Sequence, residues 1–336
     1  MLTLGIETSC DETSASVVED GTHILSNIVV SQEVLHGRFG GVVPEIACRE
    51  HTKGIVSVIH KAIVKANITI DEIDAVSVAN TPGLIGALLI GLTAAKTLSF
   101  ALNIPLVTLN HLHAHIYACK FEHRSIDYPA ISLVVSGGHT TLFLTKSETK
   151  HEQIGGTLDD AAGEAFDKVG KILGLGYPSG PVIDSISRNG NEKAVTFPRS
   201  YLGKGSLDFS FSGVKTAVLY YCSGQDAKSG KEKPKLNDRE IADIAASFQE
   251  AVVDVLVDKT ISAALQFSVN SIIFGGGVAA NSRLRQRLGD ASRQNNISLY
   301  YPPKALCIDN AAMIAGLAYH KYRERNFSSL EVGAIP

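Results

Sequence analysis

The sequence predicts an α/β protein made of two duplicated lobes with a cleft between them. Each half of the chain shows the same order of elements: a three-stranded meander, a helix, a strand, a turn rich in small residues and a second helix. An order that repeats within one chain indicates internal duplication, and alternating strands and helices favour α/β lobes. The 336 residues, with 45% hydrophobic content, are enough for two such lobes.

The first half is defined by its hydrophobic runs and its turn signals. Asp20-Gly21 is a strong hairpin signal between the second and third strands, and Pro44 suits the first turn of a helix. The strands are predicted at 2–8, 13–19, 22–31, 74–80 and 106–109.

An apolar stretch at 86–109 is about as long as a membrane span. Lys96, Asn103 and Pro105 interrupt it, and its many glycines and alanines suit close packing inside a soluble protein. The sequence therefore predicts a buried helix at 84–102 and no membrane span.

The second half repeats the pattern. Asp159 and Asp160 are expected to open a helix near 158–173, where carboxylates suit the positive end of the helix dipole. Further helices are predicted at 240–267 and from Asn281, and the strands at 130–136, 140–146, 150–156 and 271–274. The lysine-rich stretch 223–238 is interpreted as a solvated connecting loop, with an RNA-facing element as the alternative.

Composition limits the functional classes. A net charge of −3 and a pI near 6.4 do not indicate a nucleic-acid-binding protein, although they allow a local basic patch. The five cysteines are scattered and form no C-x-x-C pair, which argues for a reducing compartment and against a disulfide framework or a cysteine zinc site. The chain opens directly into a strand, so a cytoplasmic location is expected.

Three histidines at alternate positions suggest a metal site. In a helix, His111 and His115 share one face and His113 points away, whereas in a strand all three share a face. Histidines with ordinary hydrogen-bond partners are the third interpretation. Asp309, which would otherwise cap the following helix, is a suitable third ligand for Fe²⁺ or Zn²⁺ beside two imidazoles.

Four turns of small residues could bind a phosphate. Glycine lets the backbone approach a ligand, and a helix that starts directly afterwards adds positive potential. Glycine most often simply makes a turn, but paired turns facing one cleft favour a nucleotide site. The sequence contains no Walker A motif. The four turns are expected at strand ends and comprise 9–12, 134–140, 177–181 and 274–281.

Eight blocks spread from Gly5 to Gly316 resemble the bacterial TsaD family. They are GIETSCDET, PGLIGAL, NHLHAH, LVVSGGHTTL, DDAAGEAFDK, DFSFSGVKT, GGGVAANSRLR and IDNAAMIAG. The resemblance implies a two-lobed actin-like (ASKHA, ribonuclease H-like) fold with a nucleotide cleft. We expect one lobe of 1–108 plus 317–336, and a second of 109–316 that carries the metal and nucleotide site.

The resemblance also implies an activity and partners. The chain would transfer the threonylcarbamoyl group from threonylcarbamoyl-AMP to N6 of adenosine 37 in tRNAs that read codons beginning with A. The products would be N6-threonylcarbamoyladenosine and AMP. A TsaB-like paralogue and a TsaE-like ATPase are the implied protein partners, and no membrane is involved.

The family pattern assigns the site residues. His111, His115 and Asp309 would bind one divalent ion per subunit, with Fe²⁺ expected and Zn²⁺ as the alternative, which selects the helical arrangement. Asp11 and Glu12 are candidates for accepting a proton from the adenosine amine. The implied substrate-binding residues are Val134, Val135, Ser136, Gly137, Gly138, Asp167, Gly180, Asp184 and Asn281.

The sequence departs from the family pattern at three positions and excludes one competing class. Thr81, Ser179 and Ile308 replace commoner residues without removing a functional side chain, although Ser179 changes the turn before Gly180.

A zinc protease needs H-E-x-x-H, but Leu112 follows His111. A sugar or acetate kinase of the same fold is the alternative enzyme, and it has no evident need for a His-His-Asp site. A non-catalytic scaffold would be expected to have lost these three ligands.

Overall fold

The computed structural model of the protein describes residues 1–223 and 236–336, which form two compact units. The first comprises Met1–Ile126, Lys146–His151 and Tyr301–Pro336, and the second comprises Asp127–Thr145 and the described part of Glu152–Tyr300. Residues 109–126, 146–151 and 301–316 therefore pack with the first unit, whereas the sequence analysis placed them in the second lobe. The lysines of the predicted 223–238 loop lie outside the described residues.

The strands follow the predicted order closely. The first unit contains β1 (Leu2–Glu7), β2 (Glu12–Glu19), β3 (His23–Ser31), β4 (Ala75–Thr81) and β5 (Leu106–Asn110). The remaining strands are β6 (Ala130–Val135), β7 (Thr140–Thr145), β8 (His151–Gly156), β9 (Ser271–Gly275) and β10 (Ser298–Tyr300). Asp20 and Gly21, between β2 and β3, both have positive φ, as the predicted tight hairpin turn requires.

The helices connect and cover these strands. They are α1 (Glu33–Gly37), α2 (Pro44–Ala66), α3 (Ile85–Leu102), α4 (His111–Tyr117), α5 (Ala162–Leu173), α6 (Gly180–Ile186), α7 (Ser212–Ser223), α8 (Asp238–Gln266), α9 (Ser282–Gln294) and α10 (Ala311–Arg323). Short 3-10 turns occur at Ile70–Glu72, Ala118–Phe121, Ser187–Asn189, Gly277–Ala280 and Lys304–Leu306.

The two sheets have the same topology. Their strand orders are β3-β2-β1-β4-β5 and β8-β7-β6-β9-β10. In each sheet the central strand pairs antiparallel with the next strand in sequence and parallel with the strand that follows a helix. The predicted internal duplication is therefore confirmed.

The first sheet is covered on both faces. Leu4 and Ile6 of β1 point into an apolar core shared with α2 and α3. Gly5, between them, faces α10: a Cβ at this position would lie 2.3 Å from the carbonyl oxygen of Ala311 and 2.8 Å from the backbone nitrogen of Ala315. The missing side chain therefore allows α10 to lie directly against β1.

Helix α3 is only partly buried. Its length and composition would allow it to cross a membrane, and core helices of soluble proteins share both properties. Only 33% of the helix is buried. Leu88 and Leu92 are buried, whereas Leu89 and Phe100 are 48% and 77% exposed. The prediction of a buried helix is wrong for the outer face, because an almost uniformly apolar helix gives no periodic signal of which side packs.

The start of α5 also differs from the prediction. The helix begins at Ala162, and the two preceding aspartates bind elsewhere. Asp159 accepts hydrogen bonds from the hydroxyls of Ser210 and Ser212, both at 2.6 Å. Asp160 pairs with Lys168 and Lys215, at 2.7 and 2.8 Å. Asp159 thus binds a distant segment, and Asp160 links Lys168 of α5 to Lys215 of α7, so neither carboxylate caps the start of α5.

We predict that Gly5→Ala destabilises the first unit, because the added methyl group must displace the backbone of α10. Overpacking of this kind costs about 1–3 kcal/mol. Gly54→Ala in α2 is the control: its Cβ would find only Thr13 Oγ1, at 4.0 Å, and alanine favours a helix by about 0.5–1 kcal/mol. Urea unfolding should show opposite shifts of the two midpoints, and a stable Gly5→Ala variant would contradict the described packing.

Candidate functional site

Helix α4 brings two of the three histidines together. Asn110, at the end of β5, caps the helix by accepting hydrogen bonds from the backbone nitrogens of Leu112 and His113, at 2.8 and 3.3 Å. His111 and His115 therefore lie one turn apart, and their Nε2 atoms are 3.1 Å apart. The ring of His113 lies instead against that of His151, with centroids 4.3 Å apart. The helical alternative is the one found.

Asp309 completes a triad with these histidines. Its Oδ1 lies 3.0 Å from His115 Nε2 and 3.4 Å from His111 Nε2. The predicted capping role belongs to the next residue, since the side chain of Asn310 accepts from the backbone nitrogen of Met313 at the start of α10. The carboxylate of Asp309 is thereby left to face the imidazoles, and all three residues belong to the first unit.

Glu7 contacts the Nδ1 atom of His111, whereas Nε2 of the same ring faces the triad. This fully buried carboxylate, the last residue of β1, has its Oε2 2.9 Å from His111 Nδ1. Its Oε1 accepts from the backbone nitrogen of Ser9 at 2.6 Å. A carboxylate on Nδ1 fixes the ring with the Nε2 lone pair directed at the triad, as in many metal sites. The sequence analysis missed Glu7, although an acidic residue that ends a buried strand is itself a signal.

The triad is strongly polarised. Burial opposes the charge of His111, but Asp309 and Glu7 outweigh it and raise the pKa of His111 well above its usual value. Burial and the charge of His111 lower the pKa of His115. Despite its burial, Asp309 has a pKa held well below its usual range by the two histidines.

The donor set fits a divalent metal ion. Two nitrogens and one oxygen are the ligands that Zn²⁺ or Fe²⁺ accepts, and three protein ligands leave a position open for substrate. A tetrahedral ion at about 2.0–2.1 Å from each ligand separates neighbouring donors by roughly 3.3 Å. The observed separations of 3.0, 3.1 and 3.4 Å are close to that value.

The surroundings of Glu12 and Asp11 change the acid–base properties expected of these two carboxylates. Burial, then the charges of Asp309 and Asp11, raise the pKa of Glu12 to about 10, so its carboxyl carries a proton at neutral pH. Ser31 also donates a hydrogen bond to it, at 3.3 Å. A carboxyl that keeps its proton cannot accept another, so the raised pKa argues against the predicted role of Glu12 as proton acceptor.

In the second unit, the predicted substrate-binding turn follows β6, which ends with Val134 and Val135. The backbone of Ser136 donates to the carbonyl of His139 at 2.8 Å, closing the turn around Gly137 and Gly138. A Cβ on either glycine would meet nothing within 4 Å, so the backbone there borders open space. Such a turn is accessible to a ligand.

The other predicted contacts form two small hydrogen-bonded groups. Asp167 accepts from the backbone nitrogen of Ser179 at 2.8 Å, just before Gly180 opens α6. The sequence analysis expected the turn at 177–181 to follow a strand. In the structure this turn follows helix α5 instead. Asp184 accepts from the hydroxyl of Ser282 at 2.7 Å.

Both polar atoms of the Asn281 side-chain amide form hydrogen bonds. Its side-chain oxygen caps α9 by accepting from the backbone nitrogen of Leu284 at 3.0 Å. Its amide nitrogen donates to Gln249, a buried residue of α8, at 2.7 Å. The sequence analysis missed Gln249, which gave no signal within the long amphipathic helix.

Comparisons with known proteins identify the family. A sequence profile of the TsaD family, described as tRNA N6-adenosine threonylcarbamoyltransferase, matches residues 23–316. The chain belongs to the TsaD family. Among relatives named tRNA N6-adenosine threonylcarbamoyltransferase, the one from Moorella thermoacetica is 49% identical, covering 99% of this chain and 95% of its own. A Clostridium botulinum relative is 50% identical over 99% of this chain and 96% of its own. This TsaD-family chain is therefore a transferase that modifies tRNA.

Solved structures agree on an actin-like fold. The activator of the 2-hydroxyisocaproyl-CoA dehydratase from Clostridium difficile, with bound ADPNP, superposes with a TM-score of 0.56 at 17% identity, covering 100% of both chains. Full-length HypF gives a TM-score of 0.59 at 15% identity, covering 100% of this chain and 47% of its own. Likeness at this identity supports the fold alone, and the predicted fold class is confirmed.

We predict that His111→Ala and His115→Ala each abolish metal binding, while His113→Ala retains it, because only the first two rings face Asp309. Asp309→Ala should behave like the first pair. Metal content after dialysis against buffered Fe²⁺ or Zn²⁺ measures this directly, with thermal unfolding to verify the fold. Metal loss in His113→Ala alone would contradict the triad.

We predict that Glu7→Gln lowers metal affinity by about 10–100-fold, the usual effect of losing a carboxylate behind a metal-binding histidine. Glutamine keeps the size of the side chain but not its charge. Ser9→Ala is the control, since its hydroxyl lies 3.2 Å from the same nitrogen and carries no charge. Competition with a fluorescent chelator gives both affinities, and equal values for Glu7→Gln and the parent protein would exclude the role.

Proposed function

We propose that the chain transfers the threonylcarbamoyl group from threonylcarbamoyl-AMP to N6 of adenosine 37 in tRNAs that read codons beginning with A. The products are N6-threonylcarbamoyladenosine and AMP. Membership of the TsaD family over nearly the whole chain supports the proposal. The observation that carries it is the convergence of ligand atoms from His111, His115 and Asp309, all within 4.8 Å of one another, which a sugar kinase of the same fold does not need.

His111, His115 and Asp309 are proposed to hold one divalent ion, Fe²⁺ with Zn²⁺ as the alternative. When bound, the ion would supply a Lewis acid that polarises the threonylcarbamoyl group. Glu7 keeps His111 oriented. Both histidines are buried, whereas the side chain of Asp309 is 17% exposed.

The glycine turn after β6 is proposed to hold the adenylate. Its backbone borders open space at Gly137 and Gly138, which suits close approach of a phosphate or ribose. Asp184 and Asn281 are the proposed hydroxyl and base contacts, with Gln249 fixing the amide of Asn281.

The reaction forms one bond and breaks one. N6 of the adenosine attacks the carbamoyl carbonyl carbon, the bond from that carbon to the phosphate oxygen breaks, and AMP leaves with the electron pair. N6 also loses a proton, and we assign its acceptance to Asp11. Glu12, with a pKa of about 10, keeps its proton and shares a side-chain hydrogen bond with Asp11.

The family implies that the chain acts with others. We propose a TsaB-like paralogue and a TsaE-like ATPase as its protein partners, a cytoplasmic location and no membrane. The five cysteines form no disulfide among the described residues, which is consistent with a reducing compartment.

We predict that the chain, combined with these partners, metal, threonylcarbamoyl-AMP and unmodified tRNA, forms the modified nucleoside, which mass spectrometry of digested tRNA detects. Gly137→Val should raise the KM for threonylcarbamoyl-AMP by filling the space beside the turn. Gly289→Ala on α9 is the control, because the added Cβ would lie 3.7 Å from its nearest neighbour, the Nη1 of Arg293. Gly176→Ala would not serve, because Gly176 has a φ of +83°, which alanine rarely adopts. Sugar phosphorylation without tRNA modification would refute the proposal.

A further inference from the structure

A groove in the first unit lies outside the residues assigned above. Strand β3 and helices α1 and α2 line it, and its volume is about 490 Å³. Val30, Val34, Leu35 and Val58 form its apolar part, and Arg38, Lys53, Lys61 and Glu50 its charged part.

The groove concentrates positive charge on a chain whose net charge is −3. Lys53 is paired with Glu50. Within residues 1–223 and 236–336, the side chains of Arg38 and Lys61 have no hydrogen-bond or ion-pair partner, and both are exposed. Two uncommitted cations in one groove favour an anionic ligand.

The walls of the groove suit a ligand that has flat apolar parts as well as charge. Val34 is 84% exposed and Val30 is 44% exposed. Phe39, which follows Arg38 in the chain but does not line the groove, is 55% exposed. Exposed apolar and aromatic side chains beside cations are typical of surfaces that bind single-stranded nucleic acid, where bases stack and phosphates pair.

The spacing of the cations along α2 fits a strand of nucleic acid. Lys53 and Lys61 are eight residues apart, which is about 12 Å along the helix axis. A span of this length exceeds the size of one phosphate, so the groove can face more than one phosphate of a strand. A free phosphate ion would need only one such cation cluster.

The groove borders the candidate catalytic carboxylates. Ser31, which lines it, donates a hydrogen bond to Glu12. Gln32, also in the lining, donates its backbone N–H to the carbonyl of Asp11 at 3.0 Å. A strand bound in the groove would therefore pass beside Asp11 and Glu12.

We propose that this groove binds the sugar–phosphate backbone of the single-stranded RNA next to the adenosine that reacts. The inference rests on the proposed function, which makes a tRNA loop the substrate, and adds where that loop is held. Arg38 and Lys61 bind phosphates, and the apolar wall contacts a neighbouring base.

The test measures binding of unmodified tRNA to the full chain by fluorescence anisotropy over a range of KCl concentrations. The double variant Arg38→Ala/Lys61→Ala should bind several-fold more weakly, and the slope of log K against log salt should fall by roughly 1.4, or 0.7 for each lost contact. Arg38→Lys/Lys61→Arg keeps both charges and should restore binding. Arg49→Ala is the matched control, because it is an exposed cation of α2 outside the groove.

Each outcome decides the proposal. Equal weakening by Arg49→Ala and by Lys61→Ala would indicate diffuse attraction and overturn it, as would unchanged tRNA binding in the double variant. Loss of inorganic phosphate binding with intact tRNA affinity would assign the groove to a small anion and also overturn it. If tRNA is modified but its KM is the same in the double variant, the groove fails and the proposed function stands. If the variants lose tRNA binding and the parent chain modifies no tRNA, the groove stands as an RNA-binding site and the proposed function fails.

Discussion

The candidate metal centre depends on how closely α10 packs against β1. Gly5 leaves no side chain between them, so the carbonyl of Ala311 lies where a Cβ would otherwise be. Asp309 precedes that helix by two residues, and its carboxylate is therefore positioned by the same contact. Two residues further along β1, Glu7 fixes His111. One strand thus aligns both a ligand and the group that orients another ligand.

Burial explains why this cluster suits a divalent ion. Glu7 is fully buried and the His111 side chain is only 4% exposed, and unbalanced charge is costly in such surroundings. One imidazolium balances only one of the two carboxylates, Glu7 and Asp309. A divalent cation with neutral histidines balances both and also uses the converging lone pairs. The electrostatics and the geometry therefore favour the same occupant.

Local patterns predicted most of the fold, and their failures have local causes. The strands and the duplication follow from hydrophobic runs and turn signals such as Asp20-Gly21. Helix α3 was expected to be buried because its composition is apolar all round, which hides the face that packs. Asp159 was expected to open α5 because its position suited a helix terminus, but the hydroxyls of Ser210 and Ser212 bind it instead.

The sequence by itself determined what lies within one helical turn. The four-residue spacing of His111 and His115 places them on one face once Asn110 starts the helix, and this needs no distant residue. Only the tertiary structure decided that Glu7 and Asp309, 104 and 194 residues from their histidine partners, meet the same two rings. It also decided that residues 301–316 pack with the first unit, and that Arg38 and Lys61 share a groove. Periodicity reports which residues share a face, whereas the partner of that face depends on packing between segments far apart in the chain.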